Sequence, residues 1–152
     1  MSVDIKIDTS ELRGRLEAFA SAIEEEAVKG LDYTLDRCYR SIVGGAYYTN
    51  RTGALSSSWK ITRAGRLEGA VESGSKVAVF IDQGTKRHKI EAKSAKALRF
   101  LSASGEAFAK SVMHPGTKAK RIVQKETAFG QTRLLDQTEM ALERAIRRAG
   151  LD

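Results

Sequence analysis

SELRGRLEAFASAIEEEAVKGLDYTLDRCYRSIV, residues 10–43, carries apolar side chains at Leu12, Leu16, Phe19, Ile23, Ala27, Leu31, Leu35, Cys38 and Ile42, each three or four residues after the last. This is one stripe of the 3.6-residue helical period. Upstream, Asp8, Thr9 and Ser10 offer capping side chains, with Glu11 three after Asp8 in a variant of the capping box. Downstream, Gly44-Gly45 is the stop. An unbroken helix of 34 residues would be roughly 50 Å long, more than a domain of this size can cover. The overhang predicts a partner, either a second helix or a neighbouring subunit. The competing reading is a helix kinked or broken at Gly30, since interior glycine costs about 1 kcal/mol.

Outward from this helix the pattern changes. Residues 58–113 break into short runs of period two, at 58–63, 67–72, 76–81, 97–101 and 108–113, with turn residues between them. Short connections favour antiparallel pairing. Between them residues 82–96 read as one long loop, a length that points to function. His114-Pro115-Gly116 closes the region as a turn. Residues 118–149 are helical again, with a break expected at Gly130. The prediction is an α+β fold in a single domain spanning 1–152: a long N-terminal helix, a central antiparallel sheet of about 4–5 strands, and a C-terminal helix packed on the sheet.

The net charge of +7 is regional. Residues 84–121 contain ten basic residues (Lys86, Arg87, Lys89, Lys93, Lys96, Arg99, Lys110, Lys118, Lys120, Arg121) against Glu91 and Glu106, a net of +8. The rest of the chain has 16 basic and 17 acidic residues. Two readings stand: a face meeting an anionic partner, or a solvated lysine-rich loop. On the first, Lys86, Arg87, His88, Lys89, Lys93 and Lys96 are the partner- or DNA-facing residues.

Catalytic and metal signatures are lacking. His88 and His114 stand 26 residues apart with no ligand spacing beside them, and there is no GxSxG, P-loop or GxGxxG. The expectation is no enzyme, no metal and no cofactor. Cys38 lies on the apolar stripe, which favours a core thiol over a reactive one. Glu24, Glu25 and Glu26 point round the helix in the manner of a solvated face. No run approaches the roughly 20 apolar residues that span a bilayer, and MSVDIKID lacks a leader pattern. Folding in a cytoplasm is the expectation.

Three stretches add a resemblance: RTGALSSSW at 51–59, AVFIDQGTKRHKIEAKSAKALRF at 78–100 and VMHPGTKAK at 112–120. In order and spacing they resemble the phage tail-component family of virion morphogenesis or tail-completion proteins. Arg51, Thr52, Gly53 and Trp59 fill its first motif, Gly84, Thr85 and His88 open its second, and His114, Pro115 and Gly116 open its third. The likeness spans roughly residues 51–121, with Ala92 where the family has proline and Arg121-Ile122 in place of its arginine-proline-phenylalanine entry. It implies a virion structural protein of the neck, at the head–tail junction, made in the bacterial host cytoplasm. The implied assembly is a homo-oligomeric ring of six or twelve copies, with neighbouring neck, connector, tail-terminator or tail-tube proteins as partners. The basic loop from Gly84 to Lys96 would then face either the DNA channel, in non-specific contact with packaged DNA, or an acidic neighbouring ring. The alternative from the charge alone is a small basic nucleic-acid-binding protein. Apart from the family, Thr52 caps a turn, Gly53 relieves its backbone, and the turn at His114-Pro115-Gly116 opens a helix.

Overall fold

A computed structural model describes residues 7–93, 95–102 and 105–152, with Leu101 and Ser102 described by their backbone alone. The chain is α+β and divides into two compact units, residues 1–73 with 124–152, and residues 74–123.

In the first unit, helix α1 runs Ser10–Val43 without interruption. Asp8 starts it, its Oδ1 accepting from the Ser10 amide at 2.9 Å; this bond holds the Asp8 carboxyl below the usual carboxylate range. Glu11 does not reach back to close a capping box and pairs with Arg15 at 2.7 Å. The buried face of α1 is Ala22, Glu26, Gly30, Thr34, Leu35, Cys38 and Ile42. It is rotated from the apolar stripe: Leu12 and Leu16 remain 54% and 52% exposed. The four-residue helix α2 (Ala54–Ser57) leads into the hairpin β1 (Trp59–Gly65) and β2 (Glu68–Ser73), paired antiparallel from Trp59↔Ser73.

The C-terminal helix α4, Ile122–Arg148, is continuous through Gly130, where the sequence predicts a break, and it starts at Ile122 rather than Lys118. From Gln124 on it belongs to the first unit, where its Leu134 lines a hollow together with Leu31 of α1 and Leu67 at the turn of the β1–β2 hairpin. Both interior glycines have the same explanation. A Cβ on Gly30 would come within 2.9 Å of the Gln137 Cβ, and one on Gly130 within 3.4 Å of the Cys38 Sγ. They are points where α1 and α4 approach, and at Gly30 the close packing offsets the propensity cost. Arg144 and Arg148 of α4 bind Glu26 at 3.2 and 3.4 Å, and Lys29 binds it at 2.7 Å. Lys29 foremost, then Arg144, holds the Glu26 carboxyl below the usual range against the opposing effect of burial. Glu26 is therefore buried in an ion-pair cluster, not part of a solvated face.

The second unit departs further from expectation. Residues 76–81, predicted as a strand, lie in helix α3, Lys76–Gln83. KVAVFI satisfies either period, and what decides is the ends: the Ser75 hydroxyl caps Val77 at 3.2 Å and Gly84 at φ 76° stops the helix. The predicted loop 82–96 contains strand β3, His88–Glu91. The strand predicted at 108–113 is two, β5 (Gly105–Ala109) and β6 (Ser111–His114), while β4 is Leu98–Ser102. Among the described residues the strands form three antiparallel pairs, β1–β2, β3–β6 and β4–β5, in place of one sheet of about 4–5 strands.

The last two pairs are one ribbon. Thr85↔Thr117, His88↔His114 and Glu91↔Ser111 share a single register, which the Ala92 amide extends to the Lys110 carbonyl. The next residue on that side, Ala109, faces Leu98. One side of the ribbon thus carries five residues, 93–97, that the other lacks.

Candidate functional site

The foot of the ribbon is built from two copies of the dipeptide Gly-Thr. Thr85 and Thr117 exchange both backbone hydrogen bonds, at 2.9 and 3.0 Å. The Thr117 amide also donates to the Thr85 hydroxyl at 2.9 Å. Each threonine follows a glycine that no other residue can replace without displacement. Gly84 has φ 76°, and a Cβ there would sit 2.6 Å from the Thr117 carbonyl oxygen. Gly116 has φ 96°, and its Cβ would be 2.3 Å from the Thr85 carbonyl oxygen. Both glycines thus satisfy two independent demands, left-handed backbone and close strand approach.

Beyond this clasp the chain folds back on α3. The Lys120 and Arg121 amides donate to the carbonyls of Ile81 and Asp82, each at 3.0 Å. Arg121 takes φ 53°, unusual outside glycine, and offers α4 no capping oxygen. The Asp82 carboxylate supplies it instead, accepting from the Val123 amide at 2.9 Å. A carboxylate there also suits the positive end of the helix. Asp82 was not singled out by sequence reasoning as the cap of a helix 41 residues later.

His88 and His114 stand opposite each other with ring centroids 5.1 Å apart. The Lys86 carbonyl, 2.8 Å from His88 Nδ1, can only accept, so that nitrogen carries a proton. The Gly116 amide, 3.1 Å from His114 Nδ1, can only donate, so that nitrogen presents its lone pair. The two Nδ1 atoms thus meet opposite backbone partners, an acceptor at Lys86 and a donor at Gly116. With Phe80, Thr85, Lys86, Arg87, Ile90 and Thr117 they line an open groove of ≈ 530 Å³. No set of three or more His, Cys, Asp or Glu side chains gathers among the described residues.

The predicted basic residues separate along the ribbon. Lys86 and Arg87 are exposed beside the clasp, Lys89 pairs with Glu91 at 2.6 Å, and Lys93 and Lys96 lie in the extra residues opposite Ala109 and Lys110. Arg99 pairs with Glu106. Lys86, Arg87, Lys93, Lys96, Lys110, Lys118, Lys120 and Arg121 have no acidic partner among the described residues.

Arg51, Thr52, Gly53 and Trp59 fall in the other unit. Gly53 has φ 78° and its amide donates to Asn50 Oδ1, and the Thr52 hydroxyl accepts from the Ala54 amide at 3.4 Å, so both fill the turn roles read from sequence. Arg51 is exposed and Trp59 buried; the indole N–H has no acceptor among the described residues.

The same unit holds a carboxylate that sequence reasoning missed. Glu126 is 8% exposed; its Oε1 accepts from the Ser41 and Tyr47 hydroxyls, each at 2.6 Å, and its Oε2 has no partner among the described residues. Burial first, and then Glu126, raises the Tyr47 phenol to about 12. The same two causes in the same order raise the Cys38 thiol to about 11, consistent with an inert core cysteine. Among the described residues no helix is long and apolar enough to cross a membrane. Comparison of the chain with protein-family models, with characterised proteins and with solved structures gives no match.

Proposed function

We propose that the chain is a structural subunit of a phage head–tail junction, a tail-completion or connector ring component that joins tail to head. The observation that carries this reading is the clasp. The second and third stretches of the resemblance, separated by more than thirty residues between Gly84 and Gly116, meet as Gly84-Thr85 against Gly116-Thr117. In this reading Gly84-Thr85 and Gly116-Thr117 fix the foot of the ribbon, a structural role.

Exposed apolar side chains support assembly. The first buried residue of α1 is Ala22, and Leu12 and Leu16 before it are each more than half exposed. A ring needs one surface of each copy to meet a different surface of the next. The overhanging start of α1 supplies such a surface. The test is mass in solution across a range of concentrations, alone and with tail or connector proteins, together with particles from a phage lacking the gene. Rings of defined mass, and heads and tails that accumulate unjoined, are expected. A monomer at every concentration that forms no ring with those partners would overturn the reading.

A further inference from the structure

The two units differ in how they settle their charge. In the first, most carboxylates have a cationic partner: Asp32 holds Arg63, Asp36 holds Arg40, Glu24 holds Arg66 and Glu25 holds Arg148. In the second, Glu91 and Glu106 are taken by Lys89 and Arg99, and Asp82 caps α4. Of the remaining cations, all but Lys76 and Arg121 lie in two groups. Lys86, Arg87, Lys118 and Lys120 surround the clasp, while Lys93, Lys96 and Lys110 gather where the extra residues leave the ribbon. From Lys86 to Ala92 is six residues of chain, about 20 Å at the strand rise.

We infer that the ribbon, residues 85–117, is a contact for the phosphate backbone of duplex DNA, without base specificity. Three observations favour this partner over an acidic protein. Six of the seven cations in the two groups are lysines; lysine is depleted at protein–protein interfaces and binds phosphates as a point charge. The groups are spaced on the scale of a duplex rather than converging on one carboxylate. A two-stranded ribbon is also narrow enough to enter a major groove about 12 Å wide. Duplex is favoured over single strand because stacking needs several exposed rings, and Phe108 is the ring most open on the ribbon, at 66%, with Phe100 at 37%. The inference deepens the head–tail reading, in which DNA passes the subunit, but the test below does not depend on assembly.

Fluorescence anisotropy with a duplex of about 30 base pairs, titrated between about 50 and 200 mM salt, is expected to show binding with a log–log slope of about −4 to −6. K93E/K96E/K110E should flatten that slope by about 2 to 3, and K86E/R87E should weaken binding at least tenfold. R13E/R37E, the same charge change on exposed α1 residues that lack an acidic partner, should leave it within twofold. Mass measurement and circular dichroism on each variant show whether fold and assembly persist. No binding at the lowest salt overturns the inference. So does equal weakening by R13E/R37E, tighter binding of single strand than duplex, or polyglutamate competing as well as DNA. A protein that binds DNA in this way yet never forms a ring removes the assembly reading and leaves this one standing; rings that ignore DNA do the reverse.

Discussion

Replacing Gly116 by alanine separates the two demands made on that residue, with Gly105→Ala as its control. Both glycines lie in the ribbon with positive φ, 96° and 111°, but a Cβ at 105 meets no atom within 4 Å, whereas one at 116 falls 2.3 Å from the Thr85 oxygen. The backbone cost alone is about 1–2 kcal/mol, offset by about 0.4–1 kcal/mol from the stiffer unfolded chain. Gly105→Ala should thus lose about 1 kcal/mol or less. In Gly116→Ala the strands must also part by about 1 Å to restore van der Waals contact. That breaks the reciprocal Thr85–Thr117 bonds, worth about 0.5–1.5 kcal/mol each. The expected total is about 2–4 kcal/mol, read from urea unfolding, with the Thr85 and Thr117 amides losing hydrogen-exchange protection in this variant alone. If the two substitutions cost the same within about 0.5 kcal/mol and the amides stay protected, the clasp does not hold the ribbon and the argument fails.

The helix crossing gives a similar contrast. Gly130→Ala, whose Cβ meets Cys38 Sγ at an ordinary 3.4 Å, should be neutral or stabilise by up to about 1 kcal/mol through helix propensity, whereas Gly30→Ala, at 2.9 Å from Gln137 Cβ, should lower the melting temperature. Asp82→Ala should cost about 1 kcal/mol by uncapping α4, and Asp82→Asn should recover most of it; equal losses for both would refute the capping role. Glu126→Ala should lose about 1.5–3 kcal/mol in denaturant unfolding, because two hydroxyls lose a charged acceptor. Alkali tests Cys38: its folded thiol titrates near 11 against an ordinary 9.0, so the contribution is complete below pH 9 and lost as pH rises toward 11. Cys38→Ala should remove that part of the pH dependence, and thiol labelling of the native chain at pH 8 should be slow.

The long helix was legible to the residue, because 34 residues of unbroken period and an Asp-initiated start leave little competition. Its buried face was not. An apolar stripe predicts burial only where something covers it, and α4 covers Gly30, Thr34 and Cys38 instead. The same packing hid the meaning of Gly30 and Gly130, which read as weak points in isolation and serve as contact points in pairs. Short runs were the other weakness: KVAVFI fits either period, and the caps at Ser75 and Gly84 decide for the helix. In the candidate site, the glycines and histidines were legible as turn and motif residues. Their pairing across the ribbon was not, since a register is a relation between distant segments. Asp82 and Glu126 lay beyond reach for the same reason, each acting on a partner more than forty residues away.

The five unmatched residues of the ribbon leave one place where chain length is free. Below Ala92 and Lys110 the pairs keep one register down to the glycine clasp, and from Leu98↔Ala109 to Ser102↔Gly105 they keep another. Insertion between the two registers is expected to leave the pairs on either side in place. Relatives of this protein are expected to vary in length there first, and an epitope or affinity tag grafted into residues 93–97 should be carried without cost to folding.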